Sequence, residues 1–286
     1  MLYLTLAILS SAGIAILIKI YRQQGRRAEV LIASNYILAM VLGWIFLWTT
    51  AEPWSVSAAT FWLGLGGGLL WPSAFYLYTW GIAIYGLSLT GAISRLALVI
   101  PILFGIFFLS EHLTLRTGVG ILTVGSAFIL HNPVKVRMWH SSNWKAVWYF
   151  PVLVLIFGFV DLWVNLFNHL GPRQEQFVFL TLLFSFSMLF SWLAVAVQRL
   201  KVTTGDFWTG LTIGVPNFFT SYFLLESLKS PFFAEHSAIA YTLYSAVGVL
   251  LVFCLGAIIW REKITRGHLI GIALAVTAIV LLSDVG

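Results

Sequence analysis

Ten apolar runs, each long enough to cross a lipid bilayer as a helix and joined by short polar connections, fix the solvent in which this chain folds. A helix rises about 1.5 Å per residue, so about 17 to 25 apolar residues match a hydrocarbon core roughly 30 Å thick. The runs fall at residues 2–20, 29–50, 58–79, 85–109, 115–131, 147–168, 175–197, 207–228, 235–260 and 266–283. With 60% hydrophobic residues, 9% charged and a mean hydropathy of +0.96, the composition excludes a soluble globule, where about a quarter of residues carry charge. Backbone polar groups in lipid must bond within their own segment, and without the alternation of a barrel only helices do so. The reading is an all-α integral membrane protein with no separate soluble domain.

The ten runs divide into two copies of one plan. Phe61, Trp62, Gly64, Leu65 and Gly68 recur at one constant spacing as Phe207, Trp208, Gly210, Leu211 and Gly214, and Tyr76 recurs as Tyr222. Glu111, Thr114, Gly120 and Ile121 reappear at a slightly longer spacing as Glu262, Thr265, Gly271 and Ile272, between one span and the next. An insertion near Ser230 to Ala234 accounts for the difference. Residues 1–135 form the first five-helix repeat and 136–286 the second, divided near the polar stretch from His131 to Lys145. Five is odd, so the second copy is inverted, and inverted repeats about a shared cavity are the mechanical basis of alternating access in secondary transporters.

Charge placement gives the orientation. The odd-numbered loops hold Arg22, Arg26 and Arg27, then Lys135, Arg137 and Lys145, then Arg199 and Lys201, then Arg261, Lys263 and Arg266. The even-numbered loops hold Arg116, Arg173 and Lys229. Lys and Arg are retained on the cytoplasmic side, so the odd loops face the cytoplasm and both termini face outward. This distribution gives the formal charge of +6 a topological meaning, with no nucleic-acid partner implied. The first span has neither a basic leader nor a small-residue cleavage site, and reads as a retained helix. Cys254 is the one cysteine, so no intramolecular disulfide forms; inside an apolar span it reads as a small packing residue.

Ionisable groups inside spans cost about 2.5 to 3.5 kcal/mol each at a helix centre and need a reason to be there. Arg95 lies about 15 Å into the fourth span and Asp161 roughly 21 Å into the sixth, both near the midplane zone. Arg95 is suited to an anionic group such as a carboxylate, and Asp161 to an amine or a transported proton. A structural ion pair between them is the alternative, and a pair that opens when solute arrives serves both ends. Asn165 shares the Asp161 face one turn on, while Asn35 and Asn217 add amides in the second and eighth spans. Trp71 occupies the position in the first copy that Asn217 occupies in the second, an asymmetry suited to an asymmetric ligand.

Pro72 and Pro216 fall close to the glycine segments of the third and eighth spans, and Pro101 falls in the fourth; a proline removes a backbone hydrogen bond, so all three read as hinges. Trp48, Trp54, Trp139, Trp144, Trp148 and Trp260 sit near span ends and read as interfacial belts. Trp71, Tyr76, Tyr78, Trp163, Tyr222, Tyr241 and Tyr244 lie deeper and are the candidate walls of a binding site. Glu226 and Lys19, near span ends, read as interfacial. No catalytic, metal-ligating or phosphate-cradling motif is present, and the six histidines lie at or near loops without metal-ligand spacing. The expectation is a protein that is not an enzyme, binds no cofactor or metal, and has no ATP motor of its own.

The segment from Ser94 to Thr114, SRLALVIPILFGIFFLSEHLT, and its counterpart WREKITRGHLIGIALAVTAIVLL resemble the EamA-type branch of the drug/metabolite transporter superfamily over nearly the whole chain. Pro101, Glu111 and Thr114 fill the first version of that pattern, and Glu262 and Thr265 the second, with no proline in the ninth span. The resemblance implies ten helices around a central cavity lined by spans one, three, four, six, eight and nine, moving small metabolites, often amino acids. Together these readings predict a proton-coupled secondary transporter of a zwitterionic or anionic, amino-acid-like solute in a plasma membrane, the bacterial inner membrane. Its partners are a small-molecule substrate and the lipid bilayer, and a monomer can hold the whole plan. A passive facilitator of the same fold and a non-transporting scaffold or sensor are the alternatives.

Overall fold

The computed structural model describes residues 1–49, 55–98, 144–230, 237–261 and 266–282, with single positions at 100, 103–104, 115, 118–120, 122–123, 126 and 233. The described helices are α1 (Leu2–Gln23), α2 (Ala28–Thr49), α3 (Ala58–Tyr85), α4 (Leu87–Arg95), α5 (Trp144–Leu170), α6 (Gln176–Val197), α7 (Thr204–Leu228), α8 (Ser237–Trp260) and α9 (Arg266–Leu282). Short 3-10 turns follow α4 and precede α6. No strand occurs among the described residues. Leu2–Gln23, Ala28–Thr49, Gln176–Val197 and Leu243–Trp260 are long and apolar enough to cross a membrane.

The helices begin and end where local chemistry dictates. Gly25, at φ 74°, turns the chain between α1 and α2. Ser57 caps α3 by accepting from the Thr60 N–H at 3.2 Å, and Thr203 caps α7 by accepting from the Asp206 N–H at 3.1 Å. The third helix runs to Tyr85, past the expected end at residue 79, because its stop is Gly86, whose φ of 91° suits glycine alone. Pro72 and Pro216 lie inside unbroken helices; nearby, Ser73 and Thr220 donate back to the carbonyls of Leu69 and Pro216. The fourth run is described as a helix only to Arg95, followed by the turn Leu96–Leu98. Pro101, Glu111, Thr114, Glu262 and Thr265 lie outside the described residues.

The broadest interfaces join α2 to α7, α3 to α6, α1 to α7 and α2 to α6, while α4 packs on α8 and α5 on α3. Glycines set the first two. A Cβ on Gly64 would lie 2.9 Å from Leu182 Cβ, and one on Gly68 would meet Phe186 at its own Cβ and backbone. In the other pair, a Cβ on Gly210 would lie 2.6 Å from Ser34 Cβ and one on Gly214 2.8 Å from Leu38 Cβ. Residue numbers rise together along both contacts, so α2 and α7 run parallel, as do α3 and α6. Tyr36 lies against Phe184 whereas Gly43 lies against Thr181, and Arg27 before α2 meets Lys201 just after α6, so residue numbers fall along α6 as they rise along α2 and the two run antiparallel. It follows that α3 and α7, which carry the matched Phe-Trp-x-Gly motif, run in opposite directions.

Basic turns gather at one end of the bundle. Arg27, before α2, donates to the Lys201 carbonyl, before α7, at 3.4 Å, and Trp260 at the end of α8 donates to Gln23 at 3.0 Å. The other end joins the start of α6 to the start of α3 and the close of α7, through Glu175 and Phe177. Cys254 is exposed on α8 and fills no packing gap, which corrects its reading as a packing residue: its place on the helix turns it away from the core.

Candidate functional site

The described core holds polar groups where an all-apolar seam would pack as well. Asn35 of α2 is 0% exposed and accepts from Asn217 Nδ2 of α7 at 3.0 Å. The bond is possible because Gly214, one turn away on α7, lets α7 approach the Asn35 backbone. Asn35 Nδ2 and Ser34 Oγ are buried and, among the described residues, have no hydrogen-bond partner. A buried donor left unmade costs about 1–3 kcal/mol, so these are the groups of the seam with hydrogen-bonding capacity to spare. Chemically the seam offers an amide N–H and a hydroxyl.

An aromatic mass flanks this seam. Tyr36 lies 6.2 Å from Phe75 and 6.2 Å from Phe184, and Phe46 stands 4.7 Å from Tyr222 and 5.2 Å from Phe218. Trp71, Trp163 and Tyr222 all pack against the same cluster. Trp163 of α5 lies against Gly66 and Gly67 of α3; a Cβ at Gly66 would displace its ring and one at Gly67 would crowd both Leu183 and the indole, whose Nε1 donates to the Leu63 carbonyl at 2.7 Å. The glycine run in α3 therefore makes a flat berth for an indole.

The structure brings together Asn35, Asn217, Trp71, Trp163 and Tyr222 of the expected site residues. Others go elsewhere. Tyr78 packs with Phe157, at 5.8 Å, beside the cluster of Tyr85, Tyr149 and Phe150. Tyr244 packs near Leu4, Ile8 and Phe233 between α1 and α8. Tyr76 is 41% exposed and donates to Glu29 Oε1 at 3.3 Å. Asp161 is exposed on α5 and has interactions of its own. Arg95 closes α4; its side chain and those of Asn165 and Tyr241 lie outside the described residues.

Two clasps went unread in the sequence. Glu175, 3% exposed, accepts from Ser55 Oγ at 2.9 Å, Ser57 N–H at 2.9 Å, Ser57 Oγ at 2.8 Å and Thr60 Oγ1. It thus seals the first turn of α3 from the start of α6, an anion at a helix N-terminus. Burial pushes the Glu175 carboxyl up, but the bonds from Thr60, Ser57 and Ser55 outweigh it and hold the group at about 2. At the far end Asp206, in the first turn of α7, lies 3.7 Å from Arg26 Nη1. Thr60 and Asp206 occupy the same position of the matched motif, three residues after the caps Ser57 and Thr203. The caps were visible as S-x-x-T and T-x-x-D patterns; their partners, in distant loops, were not.

No protein-family model matches the chain. An uncharacterized protein of Haemophilus influenzae is 26% identical over 288 residues, spanning 96% of this chain and 95% of its own length.

Proposed function

We propose that this chain is a multi-pass secondary transporter with ten spans in two inverted five-helix repeats, moving a small zwitterionic or anionic, amino-acid-like solute in exchange for protons. The exchange of glycine contacts carries the reading: Gly64 on Leu182 in one pair of helices has its counterpart in Gly210 on Ser34 in the other, with α3 and α7 antiparallel. The same correspondence relates Gly68 on Phe186 to Gly214 on Leu38. A soluble bundle has no need of such an arrangement, whereas two tightly packed pairs meeting along α2 and α6 are a device that can rock about a shared axis. The resemblance to EamA-type transporters belongs to this proposal, as do a plasma-membrane location and outward termini. The gathering of the turns at Arg26, Arg27 and Lys201 at one end supports that orientation.

In this mechanism the solute lies between the aromatic cluster and the amide seam, with Asn35 and Asn217 supplying orienting hydrogen bonds and Trp71, Trp163 and Tyr222 supplying apolar contact. Asp161 carries the proton, and Arg95 meets the anionic group. Purified protein is screened for thermal stabilisation against a metabolite library, and hits are tested for flux in proteoliposomes. Uphill flux driven by a pH gradient that is lost in Asp161→Asn, with downhill exchange retained, is the expected result. Flux indifferent to the gradient identifies a facilitator, and a folded protein with neither hit nor flux refutes the transport reading.

A further inference from the structure

The end of α7 holds a cation in an aromatic and acidic corner. Lys229 Nζ stands 4.4 Å from the centroid of the Phe177 ring of α6 and 2.6 Å from Glu226 Oε1. The Phe177 ring lies 5.9 Å from that of Tyr222, which is 5.5 Å from Phe223. The Lys229 side chain is 52% exposed and that of Glu226 19%, so the carboxylate and rings form the anchored half and the ammonium the loose half. Aromatic faces attract a cation through the ring quadrupole, and a carboxylate neutralises it at short range.

We propose that Phe177, Tyr222 and Glu226 form a subsite for the ammonium group of an organic amine or amino acid, and that Lys229 occupies it as a tethered stopper. The subsite rests on the transport reading above for its purpose, though not for its chemistry. The far end of the bundle supplies the comparison. Tyr76 stands in α3 where Tyr222 stands in α7 by the motif spacing, and Glu29 stands in α2 where Phe177 stands in α6, by the spacing that pairs Ser34 with Leu182. There too a tyrosine meets a carboxylate, through Tyr76 and Glu29, but Ala83 fills the place of Lys229. The neighbouring Arg22 turns its Nη1 to the Arg26 carbonyl at 2.8 Å. Tyrosine and carboxylate thus recur at both ends, and at the Lys229 end an ammonium is tethered beside them at the close of the same helix.

A lysine on a short tether competes as if present at millimolar concentration, so its removal strengthens binding of a free ammonium. The probe is butylammonium chloride, titrated into detergent-purified full-length protein against sodium chloride at equal concentration, with the unfolding midpoint as readout. Lys229→Ala is expected to bind butylammonium about tenfold more tightly than the natural chain. Lys229→Arg keeps a cation in place and stays at the natural level, and the double variant Lys229→Ala with Glu226→Gln loses the gain. Circular dichroism confirms that each variant is folded. No gain in Lys229→Ala, or an equal gain in the double variant, makes the contact a surface ion pair only and overturns the subsite. Proteoliposome flux separates the two ideas: a gain in binding without flux of any solute sinks transport alone, and flux without the gain sinks the subsite alone.

Discussion

Replacing single glycines by alanine along the helix seams is expected to give a graded series whose order follows from interatomic distances. At Gly13 the added Cβ would have Pro216 Cβ at 3.8 Å as its nearest neighbour, an ordinary carbon contact. At Gly64 it would meet Leu182 Cβ at 2.9 Å, with the next atoms at 3.7 Å. At Gly210 it would meet Ser34 Cβ at 2.6 Å, the Leu31 carbonyl oxygen at 2.7 Å and Leu31 Cα at 3.1 Å. None of these last three atoms can rotate away, so α7 must retreat from α2 by about 1 Å to restore normal separation. Overpacking of that kind costs about 1–3 kcal/mol, against a gain of up to about 1 kcal/mol for alanine over glycine in a helix. The expected order of stability is therefore Gly13→Ala, neutral or slightly stabilised, then Gly64→Ala, then Gly210→Ala, about 2 kcal/mol below the first. The assay is thermal unfolding in one detergent, followed by intrinsic tryptophan fluorescence. Equal midpoints for Gly13→Ala and Gly210→Ala would falsify the close approach of α2 and α7.

Three further outcomes follow. Glu175→Gln replaces an acceptor-only group among four donors, at a cost of about 2–3 kcal/mol, and it changes the acid limb of stability. Because the folded carboxyl sits at about 2, below its ordinary 4.5, its contribution is complete above about pH 4.5 and is lost as pH falls through about 2. The natural chain should lose stability faster than Glu175→Gln across that window, and parallel acid curves would refute the clasp. Asn217→Ala leaves Asn35 buried without its bond and should cost about 1–3 kcal/mol by the same unfolding assay; a loss near zero would mean the amides do not pair. Single cysteines at Lys201 and Ser230, in a Cys254→Ser background because Cys254 is exposed, should react with an impermeant thiol reagent from the cytoplasm and from outside respectively. The reverse pattern refutes the orientation.

How legible each element was depended on whether its signal is local. Helices α1, α2, α3 and α5–α9 lie close to the runs read from hydropathy; on the proposed membrane reading, a run of apolar residues in lipid leaves the backbone no other way to satisfy its bonds. The prolines of α3 and α7 read as hinges from the sequence, and the glycine segments beside them prove to be close packing positions against Leu182, Phe186, Ser34 and Leu38, partners that no local pattern names. Asn35 and Asn217 each stood out as an amide within a span, but nothing local says that they bond each other across a chain separation of 182 residues. Glu175 drew no notice, since a glutamate next to a span start resembles any interfacial acid until the hydroxyls of Ser55, Ser57 and Thr60 are seen around it.

On the proposed reading of two inverted repeats, the halves agree in their packing positions and differ in their polar ones. Gly64 and Gly210 each admit a neighbouring helix, and so do Gly68 and Gly214. At the capped turns, by contrast, Thr60 meets an acid, Glu175, where Asp206 meets a base, Arg26. Trp71 stands where Asn217 stands in the second copy, and Leu183 where Asn35 stands in the first. Close helix approach depends on small residues at fixed heights, so substitutions there are costly in both copies and the framework stays matched. Polar groups between helices contribute only about 0.6–2 kcal/mol each, so they can diverge without loss of the fold. On the proposed reading, divergence of the polar positions gives the two mouths and the seam their different chemistry, the condition for binding a solute with distinct ends in one orientation while a symmetric frame moves around it.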